Sequence, residues 1–205
     1  MTRQQHDFVA FAGTTLVARG ALPEVAIAAK RAHEACASER VVVYDGASGA
    51  VHDVDLFGSE AEVIERLARI AAAAERAAAR AAERAAEPAK RRGPGRPALG
   101  VVSREVTLLP RHWEWLGGQR GGASAALRRL VDAARKASAP DDEARRAVEA
   151  AYRFMVDIAG DAPGFEEASR ALFARDLPAF TERIAEWPAD VREQLGRLLA
   201  PLPRA

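Results

Sequence analysis

Residues 88–136 read PAKRRGPGRPALGVVSREVTLLPRHWEWLGGQRGGASAALRRLVDAARK, and this stretch divides the chain. Pro88 follows a tract of Ala, Glu and Arg and is expected to end the helix that such a tract favours, because proline lacks the backbone N–H and its ring crowds the preceding turn. Lys90, Arg91, Arg92 and Arg96 then fall among Gly93, Pro94, Gly95 and Pro97. That composition stays extended and carries four cations along a narrow backbone. Residues 104–109 alternate as a short strand, Pro110 opens a helix over about 111–116, and the glycine pairs around Gln119 and Arg120 stop it. Ser124 is the expected N-cap of a second helix, with Leu127, Leu130, Val131 and Ala134 on one face and Arg128, Arg129, Arg135 and Lys136 on the other.

Toward the N-terminus, residues 8–19 alternate around Gly13-Thr14 as a hairpin, with Phe8, Ala10 and Ala12 on one strand face and Val9 and Phe11 on the other. Pro23 opens a helix to about Cys36, and Val41, Val42, Val43 and Tyr44 form a strand run followed by turn residues 45–49 and a further strand over 51–56. Ser59 and Glu62 have the spacing of a capping box, ahead of an apolar stripe of Val63, Ile64, Leu67 and Ile70. Beyond residue 71 no large apolar side chain follows until after Pro88, so the helix there is read as a linker.

Toward the C-terminus, a break is expected at 137–140, with Pro140 and the acids Asp141, Asp142 and Glu143 starting a new helix. Shorter helices follow over about 165–174, 177–186 and 188–199, carrying Phe165, Leu172, Phe180, Ile184, Trp187, Leu195 and Leu198 for a core. The fold class expected is α+β. It comprises a small α/β domain over 1–72, a linker helix and basic segment over 73–100, a strand-helix-helix unit over 101–138, and a helical domain over 139–205.

With 49% hydrophobic and 29% charged residues in 205, the chain has the composition of a globular protein rather than a disordered one. The formal net charge of +1 hides an uneven distribution. Acids lead ten to seven in residues 1–70 and thirteen to nine in 139–205, whereas Lys and Arg lead seven to three in 71–100 and again in 101–138. The positive charge thus gathers in the middle, as an electrostatic footprint for nucleic acid does.

The single cysteine, Cys36, makes no internal disulfide and is expected to be a small buried side chain in a reducing, cytoplasmic compartment. Neither a secretory leader nor a membrane span is indicated, so no membrane partner is expected. His33 and Cys36 supply too few ligands for a structural metal site, and Asp53 and Asp55 face away from His52 on a strand. The sequence contains no nucleophile elbow, phosphate loop or HExxH motif. The expectation is therefore no enzyme, no metal and no cofactor. His112, Trp113 and Trp115 are read as packing residues of the first short helix.

Gly95-Arg96-Pro97 with its basic flanks resembles an AT-hook, and the order of residues 101–137 resembles a ribbon-helix-helix unit. The first resemblance implies that Arg96 enters a narrow A·T minor groove while Lys90, Arg91 and Arg92 neutralise phosphates. The second implies a homodimer whose paired strands carry Arg104 and Thr107 toward DNA, with a phosphate held at Ala123 and Ser124. Both strand faces also carry apolar or acidic residues, a departure from that family's pattern. As a whole, the N-terminal α/β piece, the Ala/Arg helix, GRPALGVVSREVTLLPRHWEWL and YRFMVDIAGDAPGFEEASRALFARD resemble a bacterial family known as a domain of unknown function. The function expected is a DNA-associated regulator or nucleoid-type binder. The alternative is a non-DNA interaction module that binds a protein or a small-molecule effector through the N-terminal α/β domain.

Overall fold

Gly13 adopts a left-handed φ of +53°, and this turn folds β1 (Phe8–Ala12) and β2 (Thr15–Gly20) into the expected hairpin. The structure is a computed structural model and describes residues 7–90 and 104–202. β3 (Val41–Asp45) pairs with the other edge of β1, giving a three-stranded antiparallel sheet in the order β2–β1–β3. Between the hairpin and β3 lies α1 (Leu22–Ala35), with Pro23 in its first turn, where its missing N–H costs nothing.

The period-2 alternation of the strands decides what each face meets. Ala10 and Val43 turn toward Val25 and Ala29 of α1. Val9, Phe11 and Tyr44 turn to the opposite side, where they share one continuous core with residues from Ala144 to Leu202. Phe154 sits at the centre of that core, 5.4 Å from the ring of Phe11 and 5.0 Å from the ring of Tyr44. The sheet and the C-terminal helices are therefore one structural body rather than two domains.

The chain divides into two compact units, one formed by residues 1–67 with 140–205 and the other by 68–139. The consecutive segments read from the sequence are thus not the compact units of the fold. α2 (Glu60–Lys90) leaves the first unit and continues into the second, and α4 (Gly122–Ala159) makes the return. The break expected at 137–140 does not occur, since Pro140 lies inside α4. Proline has a helical φ and removes one donor, and residues 131–141 are all exposed, so the carbonyl of Lys136 is open to solvent instead. Similarly, α2 runs two residues past Pro88.

Other local expectations are corrected by tertiary contacts. No strand forms over 51–56: Val51 makes a single bridge to Tyr44, and Val54 and Leu56 then cover the α1 side of the sheet. Lys30, only 7% exposed, fastens this segment by donating to Leu56 O at 3.2 Å and to Glu34 at 2.6 Å. Of the α2 stripe, Val63 is fully buried, whereas Ile64 and Ile70 are 47% and 61% exposed. Cys36 is exposed, because α1 ends at Ala35 and the residue falls beyond the helix face that packs. The helices α5 (Phe165–Phe173), α6 (Leu177–Arg183) and α7 (Ala189–Leu198) match the expected ones closely. β2 is tied to α7 by Leu16 N donating to Asp190 at 2.8 Å and Arg19 to Gln194 Oε1 at 2.8 Å.

Candidate nucleic-acid interface

The second unit contains the remainder of α2, α3 (Pro110–Gly117) and the N-terminal half of α4. α3 ends where Gly118 N bonds to Glu114 O and Gln119 N to Leu116 O. The chain then reverses through Gly121 and Gly122, whose φ values of +86° and +75° are strained for any side chain with a Cβ. α4 consequently starts at Gly122, two residues before the expected N-cap. Ala123 and Ser124 lie in its first turn, where backbone N–H groups have no intrahelical acceptor. No acid occupies that turn, so the positive end of the helix dipole is not offset there.

Arg129 reaches back from α4 and donates to Arg120 O at 3.1 Å. Its guanidinium thus stands beside the turn that precedes α4, and adds a full charge to the partial charge of the helix end. Arg128, Arg129, Arg135 and Lys136 are all exposed on α4, as are Arg104, Arg111 and Arg120 before it. On α2, Arg76, Arg80 and Arg84 recur every four residues and are exposed along one stripe.

The two units differ in how their charges are used. In the first, most described cations have acidic partners, among them Arg31 with Glu60 at 2.7 Å, Arg40 with Asp157 at 3.0 Å, Arg66 with Asp55 at 3.2 Å, Arg175 with Asp141 at 3.2 Å and Arg197 with Glu193 at 2.9 Å, whereas Arg146, Arg153, Arg183 and Arg192 form no such pair among the described residues. The hydrogen bonds from Arg31 hold the Glu60 carboxyl below its ordinary range. Among the described side chains of 68–139, which do not include that of Lys90, no Lys or Arg forms an ion pair. Exposed pairs contribute roughly 0–1 kcal/mol each, so this contrast matters little for stability. It matters for the field outside the molecule, which unpaired cations leave positive.

The residues expected to contact DNA fall in three groups. Ala123 and Ser124 occur together at the start of α4. Arg104 and Thr107 are exposed on residues 104–109, which form no strand within the chain. Lys90 is the last residue of α2, and Arg91, Arg92, Arg96 and the AT-hook-like core lie outside the described residues. Reading by motif passed over Arg76, Arg80, Arg84, Arg120, Arg128, Arg129, Arg135 and Lys136 as site residues. Their signal was regional charge excess rather than spacing.

The second unit also exposes apolar side chains. Val106, Leu109, Trp113, Trp115, Leu130 and Val131 are between 45% and 58% exposed, while Leu116 and Ala126 are the buried ones among the described residues of this unit. Trp113 and Trp115, expected to pack, do not do so within the described chain. Among the described residues, no group of three or more His, Cys, Asp or Glu could hold a metal ion, and no helix is long and apolar enough to cross a membrane.

Fold and surface together define a mixed α+β protein with a small three-stranded sheet, a mostly helical remainder and a basic middle segment whose described cations form no ion pair. The chain belongs to the bacterial family described as "Uncharacterized protein conserved in bacteria (DUF2239)", whose model matches residues 7–199. No curated protein and no solved structure matches the chain.

Proposed function

We propose that this protein is a dimeric, DNA-associated regulator or nucleoid-type binder that holds the duplex by phosphate contacts from its middle region. The observation that carries the reading is the segregation of charge. Most described cations of the first unit have an acid at ion-pair distance, whereas those of 68–139 have no such partner among the described side chains. A polyanion that displaces condensed counterions onto such a surface gains affinity from every phosphate neutralised.

The start of α4 supports the same reading, since Ala123 and Ser124 lie in its first turn and the Arg129 guanidinium stands beside the turn that precedes it, a combination that suits a phosphate oxygen. Phosphate contacts position a protein without reading sequence. Sequence preference would come from Arg96 in the minor groove. The exposed Val106, Leu109, Leu130 and Val131 are the surface a second copy would cover, in the manner of a ribbon-helix-helix dimer. The protein acts in this reading by binding, with no catalytic step and no cofactor.

Fluorescence polarisation of the full chain on mixed-sequence genomic duplex, titrated over a series of salt concentrations, tests the proposal. Binding whose logarithm falls linearly with log salt, by about 0.9 per phosphate neutralised, is expected. Absence of binding at low salt would remove the reading. It would leave the non-DNA interaction module in its place.

A further inference from the structure

In the first unit, α6 and α7 leave a groove of about 720 Å³ between them. Phe180, Ile184 and Leu199 form its buried floor, and Leu177, Pro178, Ala185 and Ala200 extend the apolar wall. The volume falls in the range of small-molecule sites, roughly 300–1,000 Å³. Two further features set the groove apart from a surface depression.

The first is Gly196, which lines the groove from the interior of α7, where glycine is among the weakest helix formers. Its φ is not left-handed, and a Cβ built there would meet no atom within 4 Å. Neither the backbone nor any described neighbour requires the missing side chain. What it preserves is the open space of the groove.

The second is Arg192, one turn before Gly196 on the same face of α7. Its Nε donates to Trp187 O at 3.0 Å, which fixes the guanidinium beside the groove, and its terminal nitrogens take no partner among the described residues. A planar guanidinium held in this way matches the two oxygens of a carboxylate. Glu182 lines the groove from the α6 side and makes no ion pair with Arg192. Its charge disfavours an anion there, so an acid group is directed to the Arg192 end.

We propose that this groove binds a small carboxylic acid with an apolar body, the acid on Arg192 and the hydrocarbon over Phe180, Ile184 and Leu199. The site lies in the first unit and does not depend on the nucleic-acid reading. Octanoate, below its micellar range, is the probe, with octanol as the uncharged counterpart, each titrated calorimetrically into the full chain.

Octanoate is expected to bind saturably with one site per chain and octanol about tenfold or more weaker, as loss of a charge-assisted hydrogen bond implies. Arg192→Gln should weaken octanoate by a similar factor and leave octanol unchanged. Gly196→Leu, whose side chain enters open space, should abolish both while the circular dichroism spectrum stays that of the parent. No saturable octanoate binding by the parent chain would overturn the proposal, as would equal affinity for the two probes. Undiminished octanoate binding by folded Gly196→Leu would do the same. Should Gly196→Leu fail to fold, the Arg192→Gln comparison decides alone.

Discussion

Tyr44, on β3, donates its hydroxyl hydrogen to Asp157 Oδ2 of α4 at 2.5 Å, joining residues 113 positions apart. Arg40 donates to the other carboxylate oxygen at 3.0 Å. Burial pushes the Tyr44 phenol well above its ordinary value, and the hydrogen bond to Asp157 pushes it further in the same direction. For Asp157, burial alone would raise the carboxyl. The hydrogen bonds from Arg40 and Tyr44 outweigh that effect and hold it below the ordinary value. Tyr44→Phe should therefore lower stability by about 1.5–3 kcal/mol, the range for a hydrogen bond to a charged acceptor. Urea denaturation at neutral pH measures it. The same pair sets a pH dependence. Because the Asp157 carboxyl is depressed in the folded state, its contribution is complete above the unfolded value of about 3.9 and is lost as pH falls through the lower folded value. The phenol has the opposite sense. Its contribution is complete below the unfolded value of about 10 and is lost as pH rises above it. Denaturation midpoints followed at acid and alkaline pH should decline at both ends for the parent. The alkaline decline should be smaller in Tyr44→Phe.

Phe154→Ala tests whether the two ends of the chain fold as one body. The ring is fully buried against Phe11 and Tyr44, and its removal should cost about 3–5 kcal/mol. Near-ultraviolet signals from Tyr44 and from Trp187 should move together in a single shifted transition. Two separate transitions, with Trp187 unaffected, would indicate independent domains.

Replacing Arg128 and Arg135 together by Gln should reduce the salt dependence of DNA binding by about 0.9 in log–log slope for each phosphate that is no longer neutralised. Arg170→Gln, which removes a cation already close to Glu167 at 4.0 Å, should leave the slope as it was. Equal effects from both variants would mean that binding follows net charge rather than the middle region.

Leu130→Asp and Val131→Asp place charges on side chains that are 48% and 54% exposed, so neither should unfold a monomer. Each should convert a dimer to a monomer in sedimentation at micromolar concentration, if this face is where the copies meet. A parent chain that is already monomeric removes the ribbon model.

Arg96→Ala should weaken binding to A·T-rich duplex more than to G·C-rich duplex, because minor-groove width differs between them whereas phosphate spacing does not. Polarisation on two duplexes of equal length measures the difference. Equal weakening on both would mean that Arg96 meets only phosphate.

Several elements were legible from local sequence because local chemistry is sufficient to form them. Gly13 supplies the left-handed residue of the hairpin, Pro23 opens α1, and Ser59 with Glu62 forms the reciprocal capping box, at 2.6 Å from Ser59 N to Glu62 and 3.3 Å from Glu62 N to Ser59 Oγ. The regional excess of cations was equally readable, since it needs only counting. What the residues at 137–140 do was not, because a proline in a solvent-exposed stretch ends a helix only when something better competes for the chain, and nothing local does. Nor does periodicity state which partner an apolar face will choose. Val9, Phe11 and Tyr44 could be placed on one side of a sheet from sequence, but only the tertiary fold brings Phe154 and Met155 over them, from more than a hundred residues away. The absence of ion pairs among the described side chains of 68–139 was likewise not readable, since Asp132 has Arg128 and Lys136 at helix spacing on α4 and pairs with neither.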